Sequence, residues 1–152
     1  MPTSLHGHAL RKGRCSEPGR IYLLTTVVRA REPLFRDLHP ARLLIQELRR
    51  AHDCGQASSL AWVVMPDHLH WLVQLKDGDL DSLMRQVKSR SAMAINRARG
   101  MTGAIWQEGF HDRALRFEDD VRAAARYVVA NPLRAGLVTR LADYPFWDAI
   151  WL

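Results

Sequence analysis

The run that most constrains the fold spans residues 61–75, AWVVMPDHLHWLVQL, where two apolar stretches meet at Pro66 and Asp67. Each stretch has the length and the β-branched and aromatic content of a strand, and the turn residues between them predict a hairpin. Successive side chains of a strand point to opposite faces of its sheet. His68 and His70 therefore project side by side from one face.

Hydrophobic periodicity and turn residues predict the other elements. In chain order we expect a strand at about 20–29, a helix at 40–53, strands at 58–65 and 68–75, a helix at 79–99, a strand at 111–117 and a helix at 118–130, with Pro132 just past its end. This βαββαβ order with one further helix is the split βαβ arrangement of ferredoxin-like and RRM-like folds. We predict an α+β fold with an antiparallel sheet, two helices on one face, and a C-terminal helix that carries catalytic residues. The remainder, which ends in DYPFWDAIWL, is expected to be a packed tail with aromatic anchors.

The second strand of the hairpin also predicts which face the two core helices cover. Its odd positions, from Leu69 onward, are all apolar, whereas its even positions include both histidines. The histidines should therefore lie on the face away from the core helices. The last helix can bring Tyr127 and Asn131 to that face, because residues four apart lie one turn apart on the same side of a helix.

Length and composition predict a single domain with an anionic partner. The chain has 152 residues and a formal net charge of +6, and nucleic acid is the foremost partner for such a charge. We expect a basic DNA-contacting segment at 1–19 and one domain at 20–152. No apolar run is long enough for a membrane span or a secretory signal, which favours the cytoplasm. Cys15 and Cys54 lack metal or disulfide spacing and are interpreted as reduced thiols.

Together the candidate residues indicate phosphodiester chemistry. Two neutral imidazoles and the amide oxygen of Asn131 are suitable ligands for a divalent metal ion, which would polarise a phosphate for attack by Tyr127. A phosphotyrosine intermediate keeps the phosphodiester energy, so strands can be rejoined without ATP. Each signal alone has a structural alternative: histidines that only pack, a half-buried tyrosine, and an asparagine that caps a helix before proline. The proton acceptor for Tyr127 stays open, with the metal ion or His111 as candidates.

Four segments in this order resemble the REP-associated tyrosine transposases, which are relatives of the single-tyrosine HUH transposases of insertion sequences. They are GRCSEPGRIYLLTT, VVMPDHLHWLVQL, IWQEGFHDRALR and YVVANPLRAGLV, and they extend over nearly the whole chain. The resemblance implies that His68 and His70 are the HUH metal ligands, that Tyr127 is the nucleophile, and that Asn131 is the third ligand. Mobile relatives usually carry glutamine at the position of Asn131.

The resemblance also implies a substrate, a cofactor and a set of DNA contacts. It implies cleavage and rejoining of single-stranded DNA at the hairpins of repetitive extragenic palindromes, with Mg²⁺ or Mn²⁺, through a 5′-phosphotyrosine. It places the protein at the bacterial nucleoid in the cytoplasm, as a monomer or, like mobile relatives, a dimer. Candidate DNA contacts are Arg11, Lys12, Arg14, Ser16, Gly19, Arg85, Lys88, Arg90, Trp106, Gln107 and His111. The alternatives are a solubilising tail for the residues from Arg11 to Gly19, a solvated helix face for Arg85, Lys88 and Arg90, and core packing for Trp106.

Two other functions remain open at this stage. The first is a non-catalytic RRM-like module that binds single-stranded nucleic acid through aromatic side chains on the sheet. Only Tyr22 in the first strand offers such a side chain. The second is a relaxase or a replication initiator of the HUH type, which usually has a third histidine and a larger domain.

Overall fold

The computed structural model of the protein describes residues 16–116 and 120–150. Its strands are β1 (Ile21–Val27), β2 (Ala57–Met65), β3 (His68–Leu75), β4 (His111–Ala114) and β5 (Trp147–Ala149). Its helices are α1 (Leu38–Asp53), α2 (Leu80–Arg99), α3 (Val121–Val129) and the short α4 (Asn131–Arg134). Within these two ranges, no helix is both long and apolar enough to cross a lipid bilayer.

The five strands form one antiparallel sheet in the order β4-β1-β3-β2-β5. Strand β3 lies between β1 and β2, so the predicted split βαβ arrangement and the α+β fold class are confirmed. β2 and β3 are the predicted hairpin. Two backbone hydrogen bonds from the segment that follows β1 fix the turn of this hairpin. The Val28 N–H donates to the Asp67 carbonyl at 2.8 Å and the Phe35 N–H donates to the Pro66 carbonyl at 2.9 Å.

Helices α1 and α2 pack on one face of the sheet and form the main core. The side chains of β3 that enter this core are those at the predicted odd positions: Leu69, Trp71, Val73 and Leu75. Helix α2 begins after Asp79, whose side chain accepts a hydrogen bond from the Ser82 N–H at 2.7 Å. It ends at Gly100 with φ of 64°, a left-handed conformation that glycine adopts without strain.

A second, smaller apolar cluster lies on the opposite face of the sheet, and α3 covers it. The sheet and the helix contribute to it Val63, Leu72, Ala125, Val128 and Val129. Helix α3 begins after Asp120, whose carboxylate accepts hydrogen bonds from the Arg122 and Ala123 N–H groups. The last helix therefore packs on the face that carries the histidines, as the alternation predicts.

The C-terminal tail contains an element that the sequence did not predict. Residues Trp147–Ala149 form β5, which pairs with the free side of β2. The expected aromatic anchors are present, since the Tyr144 hydroxyl donates to the Val64 carbonyl at 2.5 Å and the Tyr144 and Phe146 rings pack edge to face. A three-residue strand has no alternation to detect, and it exists only because β2 offers an edge.

The region of the last helix also differs from its predicted bounds. Helix α3 ends at Val129, and after Ala130 the chain forms α4 instead of leaving the helical conformation. Pro132 lies in the first turn of α4, where its missing N–H costs no helical hydrogen bond. The predicted helix start at Glu118 and Asp119 lies outside the described residues.

Candidate active site

His68 and His70 lie side by side on β3, on the face opposite the main core. Their ring centroids are 4.7 Å apart and the rings are nearly perpendicular, with an interplanar angle of 86°. The side chain of His68 is 18% exposed and that of His70 is partly buried. The strand therefore presents both imidazoles from the same rigid backbone, as the alternation predicts.

The Nδ1 atom of His68 is held by the hairpin turn. It lies 2.6 Å from Oδ1 of Asp67, and the other oxygen of that carboxylate lies 3.3 Å from Nη1 of Arg31. Burial raises the pKa of the Asp67 carboxyl, but the contacts with His68 and Arg31 outweigh burial and hold this pKa below its ordinary value. A carboxylate at Nδ1 selects the tautomer whose Nε2 carries the lone pair.

His70 is held in the same way by a neighbouring strand. Its Nδ1 lies 2.9 Å from the hydroxyl oxygen of Thr25, the residue opposite it on β1. Burial, with smaller contributions from His68 and Arg134, lowers the pKa of His70 from 6.5 to about 4. His70 is therefore neutral at pH 7, which is the form that binds metal ions.

Acidification is expected to destabilise the metal-free protein between about pH 6.5 and pH 4. In the unfolded chain His70 takes up a proton near its ordinary pKa of 6.5, whereas in the folded protein it stays neutral until about 4. The unfolded state binds more protons in this interval, so the free energy of unfolding falls as pH falls. We expect a loss on the order of 2 kcal/mol, measured by urea unfolding with a chelator present. An equal loss in a His70→Gln variant would contradict this assignment.

Tyr127 and Asn131 follow on the helical segment that covers this face. Tyr127 is 60% exposed near the end of α3, while its neighbours Val128 and Val129 are buried against the sheet. Asn131 begins α4 and its Nδ2 donates to the Val128 carbonyl at 2.8 Å. Because the amide nitrogen is engaged in this cap, the oxygen on the other side of the amide is the atom suited to bind a metal ion.

Arg134 contacts Tyr127 and was not predicted from the sequence. Its guanidinium carbon lies 3.9 Å from the centroid of the Tyr127 ring, and its Nη2 donates to the Tyr127 carbonyl at 2.8 Å. Its charge also acts on His70. The sequence signal was present, since Tyr127, Asn131 and Arg134 follow the spacing i, i+4, i+7 that marks one side of a helix.

The metal-binding hypothesis agrees with the donor set. Among the residues of ranges 16–116 and 120–150, no group of three His, Cys, Asp or Glu side chains could hold a metal ion. A third ligand to join the two histidines would therefore have to be of another type than His, Cys, Asp or Glu. An amide oxygen is such a ligand. The carboxylate behind His68 is a partner that metal-binding histidines usually have, and the Thr25 hydroxyl occupies the same position behind His70.

The predicted DNA contacts near the N-terminus fall partly outside the described residues, because Arg11, Lys12 and Arg14 lie there. Ser16 accepts a hydrogen bond from the Leu80 N–H at 3.2 Å, at the start of α2. Gly19 has φ of 92° and its N–H donates to the Leu75 carbonyl at 2.7 Å. The chain that leads into β1 is thus fixed against the end of β3.

The predicted contacts on α2 have different environments. Arg85 is exposed, and Nε of Arg90 lies 2.9 Å from the Glu47 carboxylate of α1. Lys88 instead donates to the Gln107 and Gly109 carbonyls at 2.9 and 2.6 Å. Burial lowers the pKa of Lys88 to about 8, although nearby Glu108 partly opposes the shift. Lys88 therefore holds the loop before β4.

That loop contains the remaining predicted contacts. Trp106 is 8% exposed, packs against Phe35 and donates to the Ser91 hydroxyl at 3.0 Å, so it belongs to the core. Gln107 and His111 are exposed. His111 pairs with Thr25 on β1, which places it in the same cross-strand row as His70.

The sheet lacks the surface that an RRM-like module needs. Tyr22 and Trp71 are 4% and 0% exposed within the main core, and α3 covers part of the opposite face. Neither Tyr22 nor Trp71 is therefore available for base stacking.

The fold and the site define a class of transposase. The model of the IS200-like transposase family matches residues 20–131, from the residue before β1 to Asn131, and the chain belongs to this family. Within it, the chain is similar to the REP-associated tyrosine transposases. The Escherichia coli (strain K12) protein of that name is 35% identical over 88 residues, which are 57% of this chain and 50% of that protein.

Two further relatives agree with this placement. A Haemophilus influenzae (strain Rd) protein, provisionally given the same name, is 26% identical over 99 residues, 58% of this chain and 56% of that protein. The match with these two curated relatives thus spans about half of their length. A solved structure of a REP-associated tyrosine transposase bound to a REP hairpin has 27% identity and a TM-score of 0.73, over 88% of this chain and 79% of that chain.

Proposed function

We propose that this chain is a metal-dependent tyrosine endonuclease and strand transferase that acts on single-stranded DNA at REP hairpins. The observation that carries the proposal is that α3, which bears the exposed Tyr127, packs on the face of the sheet from which His68 and His70 project. The candidate nucleophile and the candidate metal ligands thus belong to the same face of the sheet. The REP hairpin bound to the structural relative supports the substrate.

In the proposed reaction, Oη of Tyr127 attacks the phosphorus of a phosphodiester. A bond forms between phosphorus and Oη, and the bond from phosphorus to the 3′ oxygen breaks. The phenol releases one proton and the leaving oxygen takes one up, so the products are a 5′-phosphotyrosine and a free 3′-OH. The 3′-OH of another strand can reverse the step without ATP, because the phosphodiester energy is retained.

The residues that would hold the metal ion are His68 and His70, through Nε2, and Asn131, through its amide oxygen. A bound Mg²⁺ or Mn²⁺ would supply Lewis-acid charge stabilisation to the phosphate. The protein fixes the two ring planes through Asp67 and Thr25 before any ligand arrives. That preorganisation lowers the cost of orienting the phosphate.

The described residues support a division of labour among the predicted DNA contacts. Three of the contacts are exposed and available to DNA: Arg85, Gln107 and His111. Lys88 and Trp106 contribute indirectly, because they hold the loop that carries Gln107. We retain segment 1–19 as the DNA-contacting part, 20–152 as the catalytic domain, and a monomer as the acting form. A protein with this substrate would work at the bacterial nucleoid, in the cytoplasm.

The proposal is tested by incubating the protein with Mn²⁺ and single-stranded DNA that carries a REP hairpin from its own genome. A denaturing gel should show a covalent protein–DNA adduct and a released 3′-OH fragment. The same DNA annealed to its complement, or a reaction with a chelator, should give no adduct. Tight binding without an adduct, across several tetranucleotides beside the hairpin, would instead identify a binding module.

Asp67→Asn is expected to weaken Mn²⁺ binding about 10- to 100-fold, because an amide cannot fix the His68 tautomer as a carboxylate does. Isothermal titration calorimetry measures this directly. Asp53→Asn, at the exposed end of α1, removes the same charge away from the site and should leave the affinity unchanged. Equal affinities in the parent and both variants would argue against His68 as a ligand.

A further inference from the structure

We propose that Arg134 is a positioning residue for the nucleophile, which holds the Tyr127 ring in place and presents positive charge where the reacting phosphate binds. This inference rests on the proposed function. It adds a residue outside the histidine pair, the tyrosine and the asparagine.

Arg134 contacts both the side chain and the main chain of Tyr127. The guanidinium lies 3.9 Å from the ring centroid, within the range of a cation–π interaction, and Nη2 donates to the Tyr127 carbonyl at 2.8 Å. Tyr127 is 60% exposed, and a side chain this exposed exchanges readily between rotamers. A cation fixed to the backbone of the same residue restricts that exchange.

Arg134 lies on α4, which directly follows α3, the helix that packs on the sheet face carrying the histidines. Arg134 follows Asn131 within α4, and its contacts with the ring and carbonyl of Tyr127 place the guanidinium beside the proposed nucleophile. The guanidinium and the phenol ring therefore lie together, on the helical segment that covers the histidine face of the sheet.

The chemistry of the guanidinium suits a phosphodiester beside the phenol ring. Arginine has five N–H donors in a planar fork that matches phosphate oxygens, and one Nη2 hydrogen bond to a carbonyl leaves further donors in the plane. Arg134 is itself exposed, so its contacts bury little apolar surface and contribute little to stability. The arrangement is better explained by the need to orient the phenol than by the fold.

The test compares Arg134→Ala and Arg134→Lys with the parent under single-turnover conditions at saturating hairpin DNA. We expect the rate of adduct formation to fall about 100-fold in Arg134→Ala, as for the loss of one preorganised donor, with little change in DNA Kd. Arg134→Lys keeps the charge but not the planar fork, and should recover part of the rate. Added guanidinium ion, at concentrations too low to unfold the protein, should partly restore Arg134→Ala and leave the parent unaffected.

Arg126→Ala is the matched control, because it removes an equal charge from an exposed position adjacent to Tyr127. The inference is overturned if Arg134→Ala reacts at the parental rate, if its whole defect is in DNA Kd, or if Arg126→Ala has the same defect. Tyr127→Phe is assayed in parallel. An adduct that Tyr127→Phe retains overturns the proposed function and this inference together, whereas an adduct lost in Tyr127→Phe but formed normally by Arg134→Ala overturns the inference alone.

Discussion

Tyr127→Phe is expected to abolish the covalent protein–DNA adduct while leaving hairpin binding nearly unchanged. The variant removes the oxygen that is proposed to attack the phosphate and keeps the aromatic ring on which Arg134 stacks. Tyr127 is 60% exposed, so the free energy of unfolding should change by no more than about 0.5 kcal/mol. Denaturing gels measure the adduct, and fluorescence anisotropy with labelled hairpin DNA measures binding.

Tyr144→Phe is the control for this prediction, because the phenol of Tyr144 has a purely structural contact. Its hydroxyl donates to the Val64 carbonyl at 2.5 Å, and burial raises the pKa of Tyr144 to about 12. Loss of this hydrogen bond should cost about 1 kcal/mol of stability and leave adduct formation intact. Equal adduct yields from the parent and both variants would show that Tyr127 is not the nucleophile.

The second large effect is expected from the histidine pair. If the proposed function is right, His68→Ala and His70→Ala should each reduce the rate of DNA cleavage on the order of 10³-fold or more, since each would remove a ligand from a metal ion that would stabilise the phosphate by several kcal/mol. Cleavage is followed over a Mn²⁺ titration. A variant with weakened metal binding should recover part of its rate at high Mn²⁺, because the ion can still bind through the remaining ligands.

His39→Ala tests whether these losses are specific to the pair. His39 is exposed in the first turn of α1, on the layer that covers the other face of the sheet. It should cleave as the parent does. Thermal melts accompany all three variants, and a folded His68→Ala or His70→Ala protein with parental cleavage would refute the metal-ligand assignment.

The sequence predicts those parts of the site in which the orientation of the side chains follows the repeat of a strand or of a helix. The period of two along β3 separates Leu69 and Trp71 from His68 and His70, and the structure confirms that separation. The helical period places Tyr127 and Asn131 on one side of the last helical segment. In both cases, burial of the intervening apolar residues fixes the orientation, so the pattern contains the information.

Other features depend on contacts that are distant in the chain. Trp106 is buried because Phe35 and Ser91 meet it from separate elements, and Lys88 turns inward because loop carbonyls lie above it. No local pattern distinguishes these residues from an exposed aromatic or a solvated lysine. Strand β5 likewise depends on a distant contact, because it forms by pairing with β2. Sequence reasoning therefore left core packing and DNA contact as equal alternatives for Trp106.

The position of β3 in the sheet has a consequence for how the protein loses activity. β3 is the central strand, with one hydrogen-bonded neighbour and two strands in all on each side, so its amide hydrogens should exchange with solvent only when the whole sheet opens. Tyr127 lies instead near the end of a nine-residue helix at the periphery, where opening requires less free energy. Mild heating or low urea should therefore detach the tyrosine first, leaving a population that still binds metal ions but no longer reacts with DNA.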